Sequence, residues 1–491
     1  MAFLYLFAFQ DIKMLATIVY TLIIVATILF IIRQKNDPVK ALAWITVIAL
    51  LPVAGLILYI VFGRNHRKEK IFNLKELDDL QQFEVLSREQ LKVISNPDPL
   101  LLRPSIADNK DIITLLLNNN KSLLTMKNRV TVLNNGKATF ASIIEALKSA
   151  KSFIHMEYYI FENDRIGGRI AKILMDKARA GVEVRFIYDD VGSWDLSRKF
   201  RRQMREAGVD VRCFMQVAFP WLTSRVNYRN HRKIIVVDGQ VAYTGGINIA
   251  DRYLRRSKRL GFWRDTHLKI EGDAVAMLNI VFSTDWYFVS GKQKLSDYDK
   301  YFPPTKVSEE VPIQIASSGP DSDWASIMQA FFSAITRAKK YIYISSPYFL
   351  PNQAILTALK VAALSGIDVR VMIPSRSDSK IVYWATRSYI GELLEAGIHV
   401  YLYKRGFNHS KVIMIDGEFS SVGTANMDMR SFEDNFEVTA IMYDRKIAKE
   451  LEDYFMHDLA GSIKMTLELW NSRSRLHSIY EALSRLLSPL L

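Results

Sequence analysis

The chain of 491 residues contains the same order of helix and strand patterns twice, and this duplication restricts its fold more than any other feature. The stretch EALKSAKSFIHMEYYIF matches AITRAKKYIYISSPYFL, RAGVEVRFIYD matches LSGIDVRVMIP, and MREAGVDVRCF matches LLEAGIHVYLY. Helical patterns alternate with short strand patterns, which is typical of α/β folds with a parallel or mixed sheet. Two long repeats predict two similar half-domains related by an approximate twofold axis, because a solenoid needs more and shorter units.

The repeats also set the expected domain boundaries. We expect the first half-domain over residues 131–300 and the second over residues 311–463, joined by the polar, proline-containing stretch KYFPPTKVSEEVP. Residues 64–130 are charged, with apolar residues at helical spacing, which indicates a juxtamembrane helical linker. Residues 464–491 carry apolar residues at helical spacing with several arginines. This indicates a C-terminal amphipathic helix that either docks on the core or lies on a membrane surface.

Two uncharged apolar runs occupy the N-terminal region, residues 1–63. They cover residues 14–32 and 41–62, and each is long enough to cross about 30 Å of hydrocarbon as a helix. Pro52 and Gly55 are tolerated in a membrane helix, where neighbouring groups satisfy the freed backbone. A cleaved signal peptide fits poorly, since the first run lacks a basic start and a second run follows closely. We therefore predict a two-helix transmembrane hairpin, with two buried helices of a soluble protein as the alternative.

The formal net charge of +14 suits nucleic acid, an anionic membrane surface or a phosphate-bearing substrate. The apolar runs favour anionic membrane lipids, and we expect no nucleic-acid partner. Basic residues after the second run slightly outnumber those in the connector RQKNDPVK, so the positive-inside rule predicts a multi-pass cell-membrane protein with a cytoplasmic catalytic body. The sequence leaves the oligomeric state open.

A second repeated pattern follows the third matched segment of each half. Both halves read His-x-Lys-x-x-x-x-Asp-Gly, with a further glycine and then an asparagine downstream. The residues are His231, Lys233, Asp238, Gly245, Gly246 and Asn248 in the first copy, and His409, Lys411, Asp416, Gly423 and Asn426 in the second. Residues two apart on a strand face the same side, so each histidine and its lysine project together. The Asp-Gly pair predicts a hairpin that carries the asparagine back towards the histidine.

One such motif would be a weak signal, but two matched copies inside a duplication favour a function, since histidine and lysine contribute little stability at a strand end. We therefore predict that both histidines and both lysines are catalytic and that the asparagines and glycines bind phosphate or support the site. We place the two aspartates with the catalytic set, although a purely structural turn role is equally consistent with their position.

The residue types suit metal-free chemistry on a phosphodiester. Two imidazoles with an ordinary pKa of about 6.5 can divide into one neutral nucleophile and one protonated acid. Lysine and asparagine donate hydrogen bonds to phosphate oxygens. Metal-ligand spacing is absent from the sequence and Cys213 is the only cysteine, so we expect neither a metal nor another cofactor. The pattern predicts a covalent phospho-histidine that is then transferred to an incoming hydroxyl.

Each catalytic histidine needs a carboxylate that fixes its tautomer. Asp265 in GFWRDTHLKI and Glu437 in NFEVTAIM lie downstream of the two motifs in matching places. Taken singly, either residue is equally well explained as a surface or turn acid.

The paired motifs resemble the HKD motifs of the phospholipase D superfamily. Within it, NYRNHRKIIVVDGQVAYTGGINIADRY, GFWRDTHLKIEG, AWITVIALLPVAGLILYIVFGRN and the terminal LLSPLL are most similar to bacterial cardiolipin synthases, from about residue 36 to the C-terminus. The resemblance implies two halves that meet at a pseudo-twofold and share one site. It also implies condensation of two phosphatidylglycerol molecules to cardiolipin and glycerol. Asp265 and Glu437 would then orient the histidines, and which acid serves which histidine stays open.

By the same resemblance His231 is the nucleophile and His409 the acid, with only a slight preference over the reverse. Two alternatives to a transferase remain: a phospholipase D-type phosphodiesterase that hydrolyses phospholipids, and an inactive membrane scaffold. Phosphatidylethanolamine as the second substrate is also open. An insertion, MQVAFPWLTSRVNYR, precedes only the first motif. Its residues Phe219, Pro220 and Trp221 either dip into lipid or pack on the body.

Overall fold

The computed structural model describes residues 2–33, 38–59, 78–95, 103–216, 228–254, 259–291, 295 and 297–488. The chain divides into two compact units, one of residues Met1–His66 with Val217–Asn227, the other of Arg67–Gln216 with Tyr228–Leu491. Several predicted features lie outside the described residues: Phe219, Pro220 and Trp221, residues 64–77 and 96–102 of the expected linker, the end of the second apolar run, and the last three residues.

The first unit contains α1 (Ala2–Arg33), α2 (Pro38–Leu50) and α3 (Pro52–Leu58). The second apolar run, expected as one helix, is divided at Leu51 because Pro52 has no backbone N–H to continue the ladder. Trp44 and Tyr59 pack edge to face, with ring centroids 5.6 Å apart. Within the described residues, no helix meets the length and apolarity that a membrane crossing requires. The two spans therefore stay predictions.

The second unit begins with α4 (Asp78–Ser95), α5 (Pro104–Asp108) and α6 (Lys110–Asn120). The elements that follow, up to the junction between the repeats, are β1 (Asn128–Asn134), α7 (Asn135–Ser149), β2 (Phe153–Tyr158), α8 (Arg165–Arg179), β3 (Glu183–Asp189), α9 (Arg198–Glu206), β4 (Asp210–Phe214), β5 (Lys233–Val237), β6 (Val241–Gly245), a 3₁₀ turn (Asp251–Tyr253), β7 (Phe262–Arg264), β8 (Thr266–Gly272), α10 (Ala274–Val289) and α11 (Tyr298–Tyr301).

The second repeat contains β9 (Ile313–Ser318), α12 (Ser326–Thr336), β10 (Tyr341–Ser345), β11 (Phe349–Leu350), α13 (Gln353–Leu364), β12 (Asp368–Pro374), α14 (Lys380–Arg387), α15 (Ile390–Glu395), β13 (His399–Tyr403), β14 (Gly406–Asn408), β15 (Val412–Ile415), β16 (Phe419–Gly423), β17 (Met427–Asp428), α16 (Met429–Glu433), β18 (Glu437–Met442) and α17 (Arg445–Leu459). The chain ends with β19 (Ser462–Lys464), α18 (Leu467–Asn471) and α19 (Arg475–Leu486).

Each repeat forms one mixed sheet, and the strand orders match. The first sheet runs β1-β8-β6-β5-β2-β3-β4, and the second runs β9-β18-β16-β15-β10-β12-β13 with β19 added at its edge. In both sheets three neighbouring strands are parallel, β2-β3-β4 and β10-β12-β13, and the others pair antiparallel. The predicted α/β duplication is therefore confirmed.

The sequence explains why the motif hairpins form. Asp238 and Gly239 both have positive φ, 52° and 63°, and so do Asp416 and Gly417, 56° and 73°. Two consecutive residues of this kind make the turn that matches the twist of an antiparallel strand pair. The hairpins β5–β6 and β15–β16 follow, and their apolar strands are buried in the middle of each sheet.

A hydrophobic core joins the two halves. Phe282 and Trp286 on α10 belong to the same buried cluster as Leu451 and Phe455 on α17, and strands of both sheets complete it. The halves also exchange backbone hydrogen bonds, because β7 of the first repeat pairs in parallel with β14 of the second. This pairing places the start of the second motif beside Asp265, and a parallel bridge between Asn230 and Phe436 does the same for the first motif and Glu437.

Candidate active site

Both motif histidines line one cavity of about 360 Å³. Its wall contains His231 and Asn248 from the first half, and His409 and Asn426 from the second. Much of the remaining wall is aromatic or charged and includes Tyr159, Arg229, Arg252, Tyr253, Trp263, Tyr348, Asp378, Asp428 and Arg430. The duplication thus brings one cluster from each half into a single space.

His231 lies just before β5, and its backbone is tied to the second half. Its N–H donates to the carbonyl oxygen of Phe436 at 2.9 Å. The next residue, Glu437, thereby lies beside the imidazole, with both carboxylate oxygens 3.0 Å from Nδ1 of His231. The ring of Tyr159 packs edge-on against the imidazole, at 4.8 Å between centroids.

His409 repeats this arrangement in the opposite sense. Its N–H donates to the carbonyl oxygen of Arg264 at 2.7 Å, and its Nδ1 lies 2.7 Å from Oδ2 of Asp265. Each histidine therefore takes its carboxylate from the other half, which settles the pairing that the sequence left open. Because Nδ1–H donates to the acid, the tautomer is fixed and Nε2 carries the lone pair.

The two carboxylates are themselves held. Glu437 accepts hydrogen bonds from the Thr424 hydroxyl and from Nδ2 of Asn435, the latter at 3.2 Å. Asp265 accepts from the N–H of Thr266 at 2.8 Å. A Cβ at Gly246 would overlap the Asp265 carboxylate. The Gly-Gly of the first motif and the Gly-Thr of the second thus fit the acids they contact.

The motif lysines are buried next to the histidines. Nζ of Lys233 donates to the backbone carbonyl of His231 at 2.7 Å, and Nζ of Lys411 donates to that of His409 at 2.7 Å. Nζ of Lys411 also lies 3.0 Å from Nε2 of His409. Two ammonium groups are thus fixed beside the cavity, where they suit a phosphate.

Burial determines the protonation states of the free site. It lowers the pKa of His231 to about 4, against the opposing charge of Glu437. Burial and the charge of Lys411 lower the pKa of His409 well below its ordinary value. Burial also lowers the pKa of Lys233 to about 7 and that of Lys411 to about 8. At neutral pH the free site therefore contains neutral imidazoles and lysines that are at least partly charged.

The hairpins carry the asparagines back to the histidine end, as the motif spacing predicted. Nδ2 of Asn248 donates to the hydroxyl of Tyr253 at 2.9 Å, and its Oδ1 accepts from the N–H of Ile160 at 3.2 Å. The Tyr253 hydroxyl in turn lies 3.4 Å from Nδ1 of His409. Asn248 thus supports a tyrosine that contacts the second histidine, while Asn426 lines the cavity.

An arginine side chain donates to the backbone carbonyl of each of the two acid residues. Arg232 Nε donates to the backbone carbonyl of Glu437 at 3.3 Å, and the same arginine pairs with buried Asp285 on α10. Arg264 Nη1 donates to the backbone carbonyl of Asp265 at 2.7 Å and pairs with buried Asp458 on α17 at 2.6 Å. Both arginines lie inside motifs that the sequence had singled out, yet no spacing rule indicated their role.

The catalytic assignment of Asp238 and Asp416 requires correction. Asp238 accepts from the backbone N–H groups of Lys151, Ser152 and Phe153 at 2.8–2.9 Å. Asp416 accepts from those of residues 339, 340 and 341 at 2.7–2.9 Å. Neither lines the cavity, since each lies at the turn, five residues along the strand from its lysine. They anchor the hairpin turn to the start of β2 or β10, which is the structural alternative.

The motif glycines have packing roles. Gly245 has φ 148°, and a Cβ there would collide with the backbone of His267. A Cβ at Gly423 would collide with Thr439 on β18. Both glycines let the returning strand approach its neighbour closely, which supports the site without contact with the cavity.

In the described part of the chain, no group of three or more His, Cys, Asp or Glu side chains is placed to hold a metal ion. The cavity is lined by the two imidazoles and by Arg229, Arg252 and Arg430, and the ammonium groups of Lys233 and Lys411 lie beside the histidines. Such a set can bind a phosphodiester anion, attack its phosphorus and move a proton to and from an oxygen. The sequence motifs left out these arginines, although Arg252 and Arg430 each lie 21 residues after the histidine of their own motif. Only Arg229 has no counterpart in the other copy.

Comparisons with known proteins show the family to which the chain belongs. The family model described as "Cardiolipin synthase, PLD-like domain" matches residues 143–286 and 331–459, and a model described as "Phospholipase_D-nuclease N-terminal" matches residues 22–64. Cardiolipin synthase of Alkalihalophilus pseudofirmus is 44% identical over 97% of this chain and 93% of its own length. That of Halalkalibacterium halodurans is 45% identical over 96% and 93%.

Among solved structures, phosphatidylserine synthase of Haemophilus influenzae aligns with a TM-score of 0.59 at 13% identity, covering 79% of this chain and 100% of that one. This likeness shows the fold alone. The family match and the relatives go further, because they span both repeats and nearly the whole chain. The chain belongs to the cardiolipin synthase family of the phospholipase D superfamily.

Proposed function

We propose that this protein is a phosphatidyltransferase that makes cardiolipin and glycerol from two phosphatidylglycerol molecules through a phosphatidyl-histidine intermediate. One observation carries the proposal: two imidazoles, each oriented by a carboxylate of the opposite half, line a single cavity. A reaction with one covalent intermediate needs both a nucleophile and a separate acid, and this site has one of each.

In the first step, Nε2 of one histidine attacks the phosphorus of the first phosphatidylglycerol. The bond between phosphorus and the headgroup oxygen breaks, and the second histidine gives its proton to that oxygen, which releases glycerol. Lys233, Lys411 and the cavity arginines bind the non-bridging oxygens. The anionic phosphate raises the histidine pKa values that burial has lowered, so a proton enters the site with the substrate.

In the second step, a headgroup hydroxyl of the second phosphatidylglycerol attacks the same phosphorus. The second histidine, now neutral, takes the hydroxyl proton, and the bond between phosphorus and Nε2 breaks. The product is cardiolipin, and both imidazoles return to their starting states. Division into two displacements replaces one difficult step by two easier ones.

The superfamily resemblance assigns attack to His231 and proton transfer to His409, and this assignment stays a prediction. Loss of the acid slows departure of glycerol but still permits attack on a substrate with a better leaving group. With a p-nitrophenyl phosphodiester of phosphatidic acid, His409→Ala should therefore still form a covalent adduct, whereas His231→Ala should not. The reverse pattern would exchange the two roles.

Phosphatidylglycerol and cardiolipin are membrane lipids, and the proposal includes membrane attachment through the N-terminal apolar runs of residues 14–32 and 41–62. It also includes a cell-membrane location with the catalytic body on the cytoplasmic side. Protease protection of the C-terminal half-domain in right-side-out membrane vesicles tests the orientation. Digestion without disruption of the vesicles would contradict it.

The decisive product assay supplies purified enzyme with phosphatidylglycerol labelled in its headgroup glycerol. Cardiolipin and free glycerol in equal amounts support the transferase. Phosphatidic acid with glycerol and without cardiolipin would instead identify a hydrolase. A second reaction with added phosphatidylethanolamine shows whether that lipid competes as acceptor. His231→Ala, measured in parallel, excludes contaminating activity.

A further inference from the structure

The C-terminal helix α19 buries polar side chains and exposes apolar ones, which is the reverse of an ordinary surface helix. Glu481 and Ser484 are buried, with 3% and 9% exposure, whereas Ile479, Leu483 and Leu486 are 53%, 58% and 74% exposed. A helix on a soluble body normally buries its apolar stripe and exposes its polar one. We name the outward side chains the leucine face: Leu476, Ile479, Tyr480, Leu483, Leu486 and Leu487.

Specific buried contacts fix this orientation. Glu481 pairs with Nε of Arg387 on α14 at 3.2 Å and with Nε of Arg473 at 2.8 Å. Arg485 donates to the backbone carbonyl of Ser388 at 3.0 Å and pairs with Glu392 on α15. Rotation of the helix to hide its leucines would break these ion pairs and leave charges buried without partners.

One helix, α14, contacts both α19 and the active-site cavity. Trp384 on α14 packs against His477 and Tyr480 of α19, with ring centroids 5.0 and 5.5 Å apart. The same α14 lines the cavity with Val382 and with its N-cap residue Ser379. α14 thus has the cavity on one side and the leucine face on the other.

The charged residues near the leucine face indicate what binds to it. Arg475, the first residue of α19, and Lys380, the first residue of α14, are exposed, and so is Ile381 on α14. Leucines flanked by arginine and lysine suit the boundary between headgroups and acyl chains of an anionic bilayer. Several large apolar side chains exposed on one helix face, with basic residues at its start, are typical of a protein or membrane interaction site, whereas single exposed leucines need no explanation.

We infer that the leucine face of α19 inserts into the surface of an anionic bilayer and sets the mouth of the cavity at headgroup level, an inference that rests on the proposed lipid substrate. Headgroups then enter the cavity while acyl chains stay in the bilayer. A single cavity of about 360 Å³ need not hold four acyl chains.

Depth-dependent quenching tests the insertion directly. The full chain, with Cys213→Ser, is labelled with an environment-sensitive fluorophore at Leu483→Cys and reconstituted into vesicles of phosphatidylglycerol and phosphatidylethanolamine. The matched control carries the label at Ser478→Cys, exposed on another side of the same helix. Quenching by shallow spin-labelled lipids at position 483, and much less at 478, supports the inference. A water-exposed spectrum of the labelled chain, or a disulfide-linked dimer of the unlabelled Leu483→Cys variant on vesicles, overturns it in favour of solvent or a second copy.

An activity comparison separates this inference from the proposed function. Leu483→Glu should lower the initial rate on vesicle phosphatidylglycerol by at least about fivefold, because an added charge opposes insertion. Its rate on a monomeric short-chain phosphatidylglycerol should match that of the wild type, and Ser478→Glu should leave both rates unchanged. Equal rates of Leu483→Glu and wild type on vesicles would overturn the inference alone. Failure of the wild type to convert either substrate would overturn the proposed function.

Discussion

His231 takes its carboxylate from a glutamate and His409 from an aspartate, and the two acids differ in charge state as well as length. Burial opposes ionisation of Glu437, yet the interaction with His231, the charge of Lys233 and the hydrogen bond from Thr424 hold its pKa below the ordinary value. Burial raises the pKa of Asp265 to about 6. The same backbone arrangement thus holds one acid that is firmly ionised and another that titrates close to neutrality.

The supporting arginines differ in a second way. Arg232 reaches the Glu437 carbonyl from the motif strand itself, between the histidine and the lysine. The equivalent motif position in the second half is Ser410, and there Arg264 reaches the Asp265 carbonyl from the strand of the acid. Both guanidinium groups come from the first half. In both halves a guanidinium group donates to the backbone carbonyl of the acid, but it comes from a different position of the repeat.

The largest expected effect comes from replacing either catalytic histidine, and the two replacements should have the same effect. Each of His231→Ala and His409→Ala should lower the rate of cardiolipin formation by about 10⁵-fold, because nucleophile and acid act as one unit. Initial rates with labelled phosphatidylglycerol measure this, and thermal unfolding confirms that each variant is folded. A variant with half of the wild-type rate would mean two independent sites.

The two histidine–acid pairs should differ in the pH dependence of the reaction. Glu437→Gln and Asp265→Asn should each lower kcat by about 10³–10⁴-fold, because the imidazole loses the group that fixes its tautomer. In the wild type, kcat/KM should fall as the pH drops through about 6, where Asp265 of the free enzyme takes up a proton. Glu437→Gln should keep this acidic limb and Asp265→Asn should lose it. The same limb in both variants would contradict the assignment.

Arg232 and Ser410 occupy equivalent motif positions, but their replacement should change the free energy of unfolding by different amounts. Arg232→Met leaves buried Asp285 without its cation and should lower the free energy of unfolding by about 3–5 kcal/mol. Ser410→Ala removes only long contacts of 3.3 Å and should cost less than about 1 kcal/mol. Denaturant unfolding in detergent measures both. Similar losses would show that the two positions are equivalent after all.

The smallest effect concerns the lysines. The pKa values of about 7 and about 8 mean that Lys233 and Lys411 lose their charge in the free enzyme as the pH rises through this range. Phosphate binding favours the charged forms, so KM should rise by about tenfold between pH 7 and pH 9. Lys233→Met should start with a higher KM and show a shallower rise. A KM independent of pH in the wild type would contradict the shifted pKa values.

The sequence predicted the parts of this molecule that repetition reveals. The duplicated α/β order, the Asp-Gly hairpins and the pairing of each histidine with its lysine all follow from matched patterns, and the two sheets confirm them. The acids Asp265 and Glu437 were found because they also occupy matching places. Their exchange between halves was not predictable, since it depends on how β7 pairs with β14 and how Asn230 bridges to Phe436 in space.

Residues of three kinds escaped prediction from the sequence. Arg252 and Arg430 are matched in the two copies and could have been found by extending the motif comparison by four residues beyond each asparagine. Arg232 and Arg264 have no counterparts at their own repeat positions, so comparison of the repeats passes over them. Asp238 and Asp416 are matched in both copies, yet they lie at the turn and accept from the amide groups that start β2 and β10. Repetition reveals that a residue matters, but only the fold shows whether it serves the site or the scaffold.

The stoichiometry of the covalent intermediate tests the central claim most directly. Wild-type enzyme is mixed rapidly with phosphatidylglycerol labelled in the phosphate, quenched under alkaline conditions that preserve phospho-histidine, and the label per chain is counted. The shared site predicts at most one phosphatidyl group per chain, on a single histidine. Two phosphatidyl groups per chain, one on His231 and one on His409, each lost only in its own variant, would contradict it.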